Sequence, residues 1–297
     1  MSRAGVLAGL LAAAALAATG CGGDTSSGNS TRLVDLSKKP PFVNSLDIDP
    51  DSGDFLLTTN RGFWRIDPDE DSAARIRSTI THKGMTDTIG TFLLAKVAGP
   101  RTLIGSGHPD TQGKLAAFLG FLRSDDKGRS WRVISRYGAA DLHKIVLRHD
   151  RMYAFDAVLS AIVISEDDGR TFTEHFTPRG LIIDFDVDPD DPDRLVASND
   201  DELFRSEDGA DTWRPIARAQ GIRLAWVGPD TLYRADRDGT IRISDDAGDT
   251  WEDVGRVDGE PYKFKVIDEE HLYLALSDGS IVETTDGGPR WEAVFEP

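Results

Sequence analysis

Histidine and aspartate side chains gather in the first half of the chain in a combination that could do chemistry. Imidazole nitrogens and carboxylate oxygens bind divalent transition metals, and the same groups act as general acids and bases. No local motif, such as a histidine pair at helical spacing, supports a metal site, and polar loops also carry such residues without a role. The metal-ligand candidates are His82, His108 and His143, and the weaker catalytic candidates are Asp87, Asp110, Asp141 and Asp156.

A turn pattern that recurs five times defines the elements that must position these residues. Its hydroxyl and carboxylate can bond backbone amides within the turn, its small residue tolerates positive φ, and its aromatic packs between sheets. The aromatics close the copies at positions 131, 172, 213, 251 and 291, a period of about 40 residues. The copies are Ser124, Asp126, Gly128 and Trp131; Ser165, Asp167, Gly169 and Phe172; Ser206, Asp208, Ala210 and Trp213; Ser244, Asp246, Gly248 and Trp251; and Thr284, Asp286, Gly288 and Trp291.

These residues resemble the Asp-box, or BNR, repeat of sialidases, sortilin-type receptors and photosystem assembly factors. The resemblance implies a β-propeller in which the Ser and Asp residues of each box are structural and not catalytic. Residues 103–109, 119–124 and 152–156 are also similar to a group of bacterial lipoproteins loosely labelled glycosyl hydrolases. Members of that group often carry histidines in their first inner strand, where residues 42–46 of this chain have none.

Alternating apolar runs and turn signals predict four strands, A to D, around each copy of the pattern. Residues 43–48, 55–58 and 62–66 add a first blade whose box has decayed, and the second blade starts near Thr88. The predicted fold is therefore all-β: a single propeller of six four-stranded blades. How the ring closes stays open, since residues 32–36 could add an outer strand to the last blade.

In a propeller the D-to-A and B-to-C loops share one face, and binding sites usually lie in the channel mouth there. His82, His108 and His143 fall on that face on adjacent blades, whereas His149 and His271 fall on the opposite face. The one long B-to-C loop, residues 106–114, lies there too. The ligand-binding candidates are His108, Asp110, His143, Tyr153 and Asp156.

The N-terminal segment predicts export. Residues 5–18 are apolar and end in Ala18-Thr19-Gly20-Cys21, which resembles the lipobox of bacterial lipoproteins. The resemblance implies that Cys21, the only cysteine, is acylated and anchors the protein to the outer face of the cell membrane. A simple secretory signal is the alternative. The predicted domains are a signal peptide at 1–20, a flexible tether at 21–39 and the propeller at 40–297.

Two functions fit this sequence. The first is a binding or assembly module for a protein, glycan or metal ligand, with no cofactor required and a divalent metal as an option. The second is a sialidase-like exo-glycosidase, but the nearest match to the sialidase motif is Trp64-Arg65-Ile66-Asp67, with Asp where the motif has Pro. The net charge of −17 disfavours nucleic acid as a partner. We expect the binding module, and an enzyme would be a glycoside hydrolase.

Overall fold

The computed structural model describes residues 42–70, 72–110, 114–177, 181–218 and 222–297. The expected signal peptide, Cys21, the tether and the strand at 32–36 lie outside these ranges. Regular structure within them is entirely β. A helix long and apolar enough to span a membrane is absent from this described part of the chain.

Most strands have four to seven residues, and several are buried along their whole length, as expected for sheets that pack against a neighbour on both faces. In chain order they are β1 (Val43–Ile48), β2 (Phe55–Thr59), β3 (Gly62–Asp67), β4 (Ser72–Ile76), β5 (Thr79–His82), β6 (Met85–Val97), β7 (Leu103–Pro109), β8 (Phe121–Ser124), β9 (Ser130–Ser135), β10 (Leu142–Arg148), β11 (Arg151–Asp156), β12 (Ala161–Ser165), β13 (Thr173–Phe176), β14 (Asp184–Val187), β15 (Leu195–Ser198), β16 (Glu202–Ser206), β17 (Arg214–Arg218), β18 (Arg223–Gly228), β19 (Thr231–Ala235), β20 (Thr240–Ser244), β21 (Glu252–Arg256), β22 (Pro261–Val266), β23 (Leu272–Leu276), β24 (Ile281–Thr284) and β25 (Glu292–Phe295).

Consecutive strands pair antiparallel into the sheets of a single propeller. The described residues form five four-stranded sheets, β1–β4, β10–β13, β14–β17, β18–β21 and β22–β25. The second sheet departs from the expected four strands because β5 pairs antiparallel with the start of β6 and parallel with β9, which closes β5–β9 on itself. The prediction of six four-stranded blades is therefore wrong for this sheet, where the extra hairpin adds a fifth strand.

The first strand of each four-stranded sheet, together with β6 of the closed sheet, lines the centre of the ring. Each of these inner strands contacts the next, and β22 of the last sheet contacts β1 of the first. Phe295 at the end of the last sheet packs into the same cluster as Val43 and Phe55 of the first. The ring thus closes through apolar contact between its first and last sheets.

Each copy of the five-fold pattern forms the turn between the last two strands of its sheet, which we call the repeat turn. In the first copy Ser124 Oγ donates to Asp126 Oδ1 (2.8 Å) and accepts from Gly128 N (2.9 Å), and Asp126 accepts from Ser130 N (2.8 Å). Hydrogen bonds from the backbone N–H and the hydroxyl of Thr171 lower the pKa of Asp167 to about 2. The carboxylates therefore accept hydrogen bonds within the turns, as the sequence predicts.

At two of the five repeat turns the glycine meets an aromatic ring of the preceding sheet. Gly128 has φ +85°, and a Cβ there would lie 2.4 Å from Cε1 of Phe63. Gly169 has φ +77°, and a Cβ there would lie 2.2 Å from Cε1 of Phe121. Both backbone conformation and space therefore select glycine at these two turns, and the turns lock neighbouring sheets together.

Candidate functional site

The inner strands carry charged side chains into the central channel. Because side chains alternate along a strand, Asp184 and Asp186 on β14 share one face, as do Lys263 and Lys265 on β22. Ion pairs and longer-range charge interactions link these side chains between blades. Among the described residues these channel groups are the cations Lys96, Lys144, Arg148, Arg223, Lys263 and Lys265 and the carboxylates Asp47, Asp184 and Asp186.

Each channel carboxylate braces two adjacent blades. One oxygen of each accepts a backbone N–H from the inner strand of the following sheet, so the three Asp side chains replace backbone bonds that inner strands cannot make to each other. The bonds run from Val97 N to Asp47 (2.7 Å), from Leu224 N to Asp184 (3.0 Å) and from Trp226 N to Asp186 (2.9 Å).

The same carboxylates pair with three of the cations. Lys265 Nζ lies 2.5 Å from Asp47 Oδ1, Lys144 bonds Asp184, and Arg148 Nη1 lies 3.8 Å from Asp186 Oδ1. Burial alone would raise the pKa of Asp47, but nearby ammonium groups hold it below its ordinary value. Burial likewise opposes ionisation of Asp184, and Lys144 and other cations lower its pKa. Asp47 and Asp184 therefore stay ionised and structural, which does not suit a general acid.

The ammonium groups of Lys96 and Lys263 have no ion pair or hydrogen bond with any described residue. Both lysines line the channel cavity. Burial lowers the pKa of Lys263 to about 8, and repulsion from Arg223 adds to the effect. Burial also lowers the pKa of Lys96, and attraction to Asp47 opposes this only in part. Lys263 is therefore mostly protonated at neutral pH. Its surroundings, like those of Lys96, make the charged form of the side chain less favourable than it is in water.

At the mouth of the channel Asp141 joins two of the predicted histidines. His143 Nε2 lies 3.2 Å from Asp141 Oδ2, and His108 Nε2 lies 3.5 Å from Asp141 Oδ1. The other ring nitrogen of His108, Nδ1, lies 2.7 Å from the Ala117 carbonyl oxygen. His143 also lines the cavity that contains Lys96 and Lys263. Of the predicted site residues, the structure brings His108, Asp141 and His143 together here.

Two predicted ligand contacts lie behind this surface. Asp156 is fully buried, accepts the N–H groups of Asp141 and Val158, and lies 3.4 Å from Arg136. Its role is to hold the loop that presents Asp141. Tyr153 is also fully buried, and its hydroxyl donates to the Pro192 carbonyl near the opposite face. Tyr153 is therefore not a mouth residue, because it lies near the wrong end of β11.

The third histidine does not join the other two. His82 stacks on Tyr137, with ring centroids 4.0 Å apart, in the hairpin between β5 and β6. Asp87 is buried beside that hairpin, and Asp110 is exposed and accepts a hydrogen bond from the Thr88 hydroxyl (3.2 Å). Within the described ranges no group of three or more His, Cys, Asp or Glu side chains could hold a metal ion.

Exposed apolar side chains concentrate on the mouth face. Phe42 precedes β1, Met85 begins β6, Val158 lies between β11 and β12, Phe176 ends β13 and Leu181 precedes β14. Of the large hydrophobic side chains exposed in the described residues, only Ile267 lies on the opposite face. We call this set of five the apolar rim. Apolar groups gathered on one face around polar ones are typical of protein-binding surfaces.

A larger cavity, of about 510 Å³, opens on the face of the repeat turns between the second and third sheets. Most of its charged side chains already have partners. Arg151 pairs with Glu166 at 2.8 Å, and His149 Nε2 lies 2.8 Å from the Asp188 carbonyl oxygen. We therefore place the candidate site in the central channel and its mouth.

Sequence reasoning missed the channel lysines. The signal was present, because Lys263 and Lys265 alternate with Phe264 and Val266 on a strand that had to be an inner one. A charged residue that alternates with apolar ones on an inner strand faces the channel and not the solvent at the rim. The sequence could not show that Lys96 and Lys263 lack ion-pair partners, because this depends on contacts between blades.

Comparison with known proteins shows the fold alone. No family model and no curated protein matches the chain. Among solved structures, the chain is similar to YCF48 bound to a D1 peptide (14% identity, TM-score 0.55, covering 83% of this chain and 94% of that one). It is also similar to a chain of a nidogen–laminin complex (12%, TM-score 0.56, covering 82% and 93%). A third is the GH74 xyloglucanase from Xanthomonas campestris (14%, TM-score 0.51, 86% of this chain and 45% of the enzyme). All three support a β-propeller.

Proposed function

We propose that this protein is an extracytoplasmic binding module that docks a protein ligand on the channel mouth. The apolar rim carries the proposal, since it lies on the same face as the polar cluster of His108, Asp141 and His143. Apolar anchors provide affinity and the linked polar groups provide orientation. The peptide bound to the structurally similar YCF48 supports a ligand of this class.

Glycoside hydrolysis is less well supported. A glycosidase of this kind needs carboxyl groups exposed to substrate, one of them protonated at working pH. Asp156 is fully buried, and cations hold the pKa values of Asp47 and Asp184 below their ordinary range. Arg65, in the sialidase-like run, pairs with Asp54 on an outer part of the first sheet.

We further propose a lipid anchor for the chain and an assignment of its repeat turns to a known type. We infer that Cys21 is acylated and tethers the propeller to the outer face of the cell membrane through residues 21–39. We also assign the repeat turns to the Asp-box type, because their hydroxyl and carboxylate bonds recur in all five copies. An anchored propeller with a free mouth face suits capture of a partner near the membrane.

Site-specific photo-crosslinking tests the docking face. A photoreactive phenylalanine analogue in place of Val158 or Leu181, in the full chain inside its own cells, should form protein adducts of defined mass. The same analogue in place of Ile267, equally exposed but on the opposite face, is the matched control. We expect adducts from the first two positions and none from the third, read by immunoblot and mass spectrometry.

Two results would overturn the proposal. The first is equal cross-linking from both faces, or none from the mouth. The second is turnover of sialosides or other glycosides by the purified chain that is lost in Asp110→Asn or Asp141→Asn, because those exposed or partly exposed carboxylates could then be catalytic.

A further inference from the structure

The channel holds more positive than negative charge, although the whole chain carries −17. Its three carboxylates are matched one to one with Lys144, Arg148 and Lys265. Lys96, Lys263 and Arg223 are left without a carboxylate within ion-pair distance in the described residues. Arg223 is partly compensated by the ring of Tyr262, 5.4 Å from its guanidinium carbon.

The two unpaired lysines flank one cavity. It has a volume of about 80 Å³ and is lined by the cations Lys96, Lys144 and Lys263 and by the carboxylates Asp47 and Asp184, among others. A space of this size admits a few waters or one carboxylate- or phosphate-sized group. Asp184 is already bonded to Lys144 and to a backbone N–H, so it does not neutralise Lys263.

An ammonium group that is partly removed from bulk water and has no anionic partner destabilises the fold. Two such groups beside one cavity are stabilised most simply by an anion that bonds both. Lysine is a point-charge donor with three N–H groups, which suits an oxyanion of either planar or tetrahedral shape.

We infer that the channel is an oxyanion site, in which Lys96, Lys144 and Lys263 bind a carboxylate or phosphate group. The site lies deeper than the apolar rim, and its occupancy does not require a protein ligand at the mouth. His143 lines the same cavity and marks the route by which the anion enters.

Thermal unfolding at constant ionic strength tests the site. Inorganic phosphate, replacing sodium chloride in steps, should raise the melting temperature of the full chain by at least about 2 °C, because a ligand that binds only the folded state stabilises it. Lys263→Met should abolish this response. Arg256→Met removes the same charge from an exposed outer strand and should keep it.

Further arms separate the sources of the anion. A response to inorganic phosphate or acetate indicates a free anion, whereas a response only to a peptide with an acidic side chain indicates an anion carried by a protein. No response to any of these probes, or a phosphate response that survives in Lys263→Met, overturns the inference. Failure of the mouth cross-links with a retained phosphate response would overturn the docking proposal alone.

Discussion

At the scale of single residues, the charged side chains of the channel differ in whether they have an ion-pair partner. Lys265 and Lys263 lie two positions apart on β22, yet the first pairs with Asp47 and the second pairs with nothing in the described residues. The same residue type therefore stabilises the fold at one position and destabilises it at the other. Such a cost is expected where a group is kept for binding and not for stability.

Lys263→Met should stabilise the protein in buffer without phosphate. The folded-state pKa of Lys263, about 8, lies below the ordinary lysine value of 10.5, so its charge opposes folding at pH 7. We expect a gain on the order of 1–3 kcal/mol at pH 7, since each pKa unit corresponds to about 1.4 kcal/mol. As pH rises from 8 to 10.5 the wild-type protein loses this penalty, and the difference should shrink. Denaturant unfolding across this pH range measures it.

Lys265→Met is the matched control. It leaves the buried carboxylate of Asp47 without its closest cation, so we expect a loss of roughly 3 kcal/mol or more. If both variants change the free energy of unfolding in the same direction, the distinction between paired and unpaired lysines is wrong.

At the scale of elements, the repeat turn connects local geometry to packing between sheets. The third copy has Ala210 at φ +74° where the others have glycine, and Ala210 is fully buried against Ile162 and its neighbours. Backbone strain alone is therefore tolerated at this position. The aromatic ring pressed against Gly128 and Gly169 is the stronger constraint.

Gly128→Ala should destabilise the protein by about 2–5 kcal/mol, the sum of left-handed strain and overpacking against Phe63. Gly53→Ala provides the comparison, because Gly53 has φ +77° but no atom within 4 Å of the point that a Cβ would occupy. We expect a loss of only about 1 kcal/mol there. Equal losses in chemical denaturation would show that strain, and not the ring, decides the turn.

At the scale of the whole molecule, the two faces of the ring carry different groups of side chains. The repeat turns lie on one face and consume their carboxylates internally. The other face carries the apolar rim, the linked histidines and the entrance to the cationic channel. The tether that we propose at residues 21–39 would leave this face free to turn toward a partner.

Cys21→Ser should release the protein from the membrane, because acylation at that position is the anchor that we propose. Detergent phase partitioning of cells should move the variant from the detergent to the aqueous phase, while the wild-type protein stays in the detergent. Ser27→Ala, a change in the tether that spares the cysteine, should leave partitioning unchanged. A variant that stays in the detergent phase would contradict the lipid anchor.

The sequence by itself determined the propeller, the turns and the face that holds the mouth, because these follow from hydrogen bonds within eight residues and from a period of about 40. It also predicted that His108 and His143 share that face, but their contacts with Asp141 come from the structure. Tertiary structure alone decided that Tyr153 is buried, that β5 closes the second sheet, and that Lys96 and Lys263 have no partner among the described residues. Those outcomes depend on how strands from different blades are rotated and aligned, and such contacts join residues some 40 to 220 positions apart, beyond the reach of any local pattern.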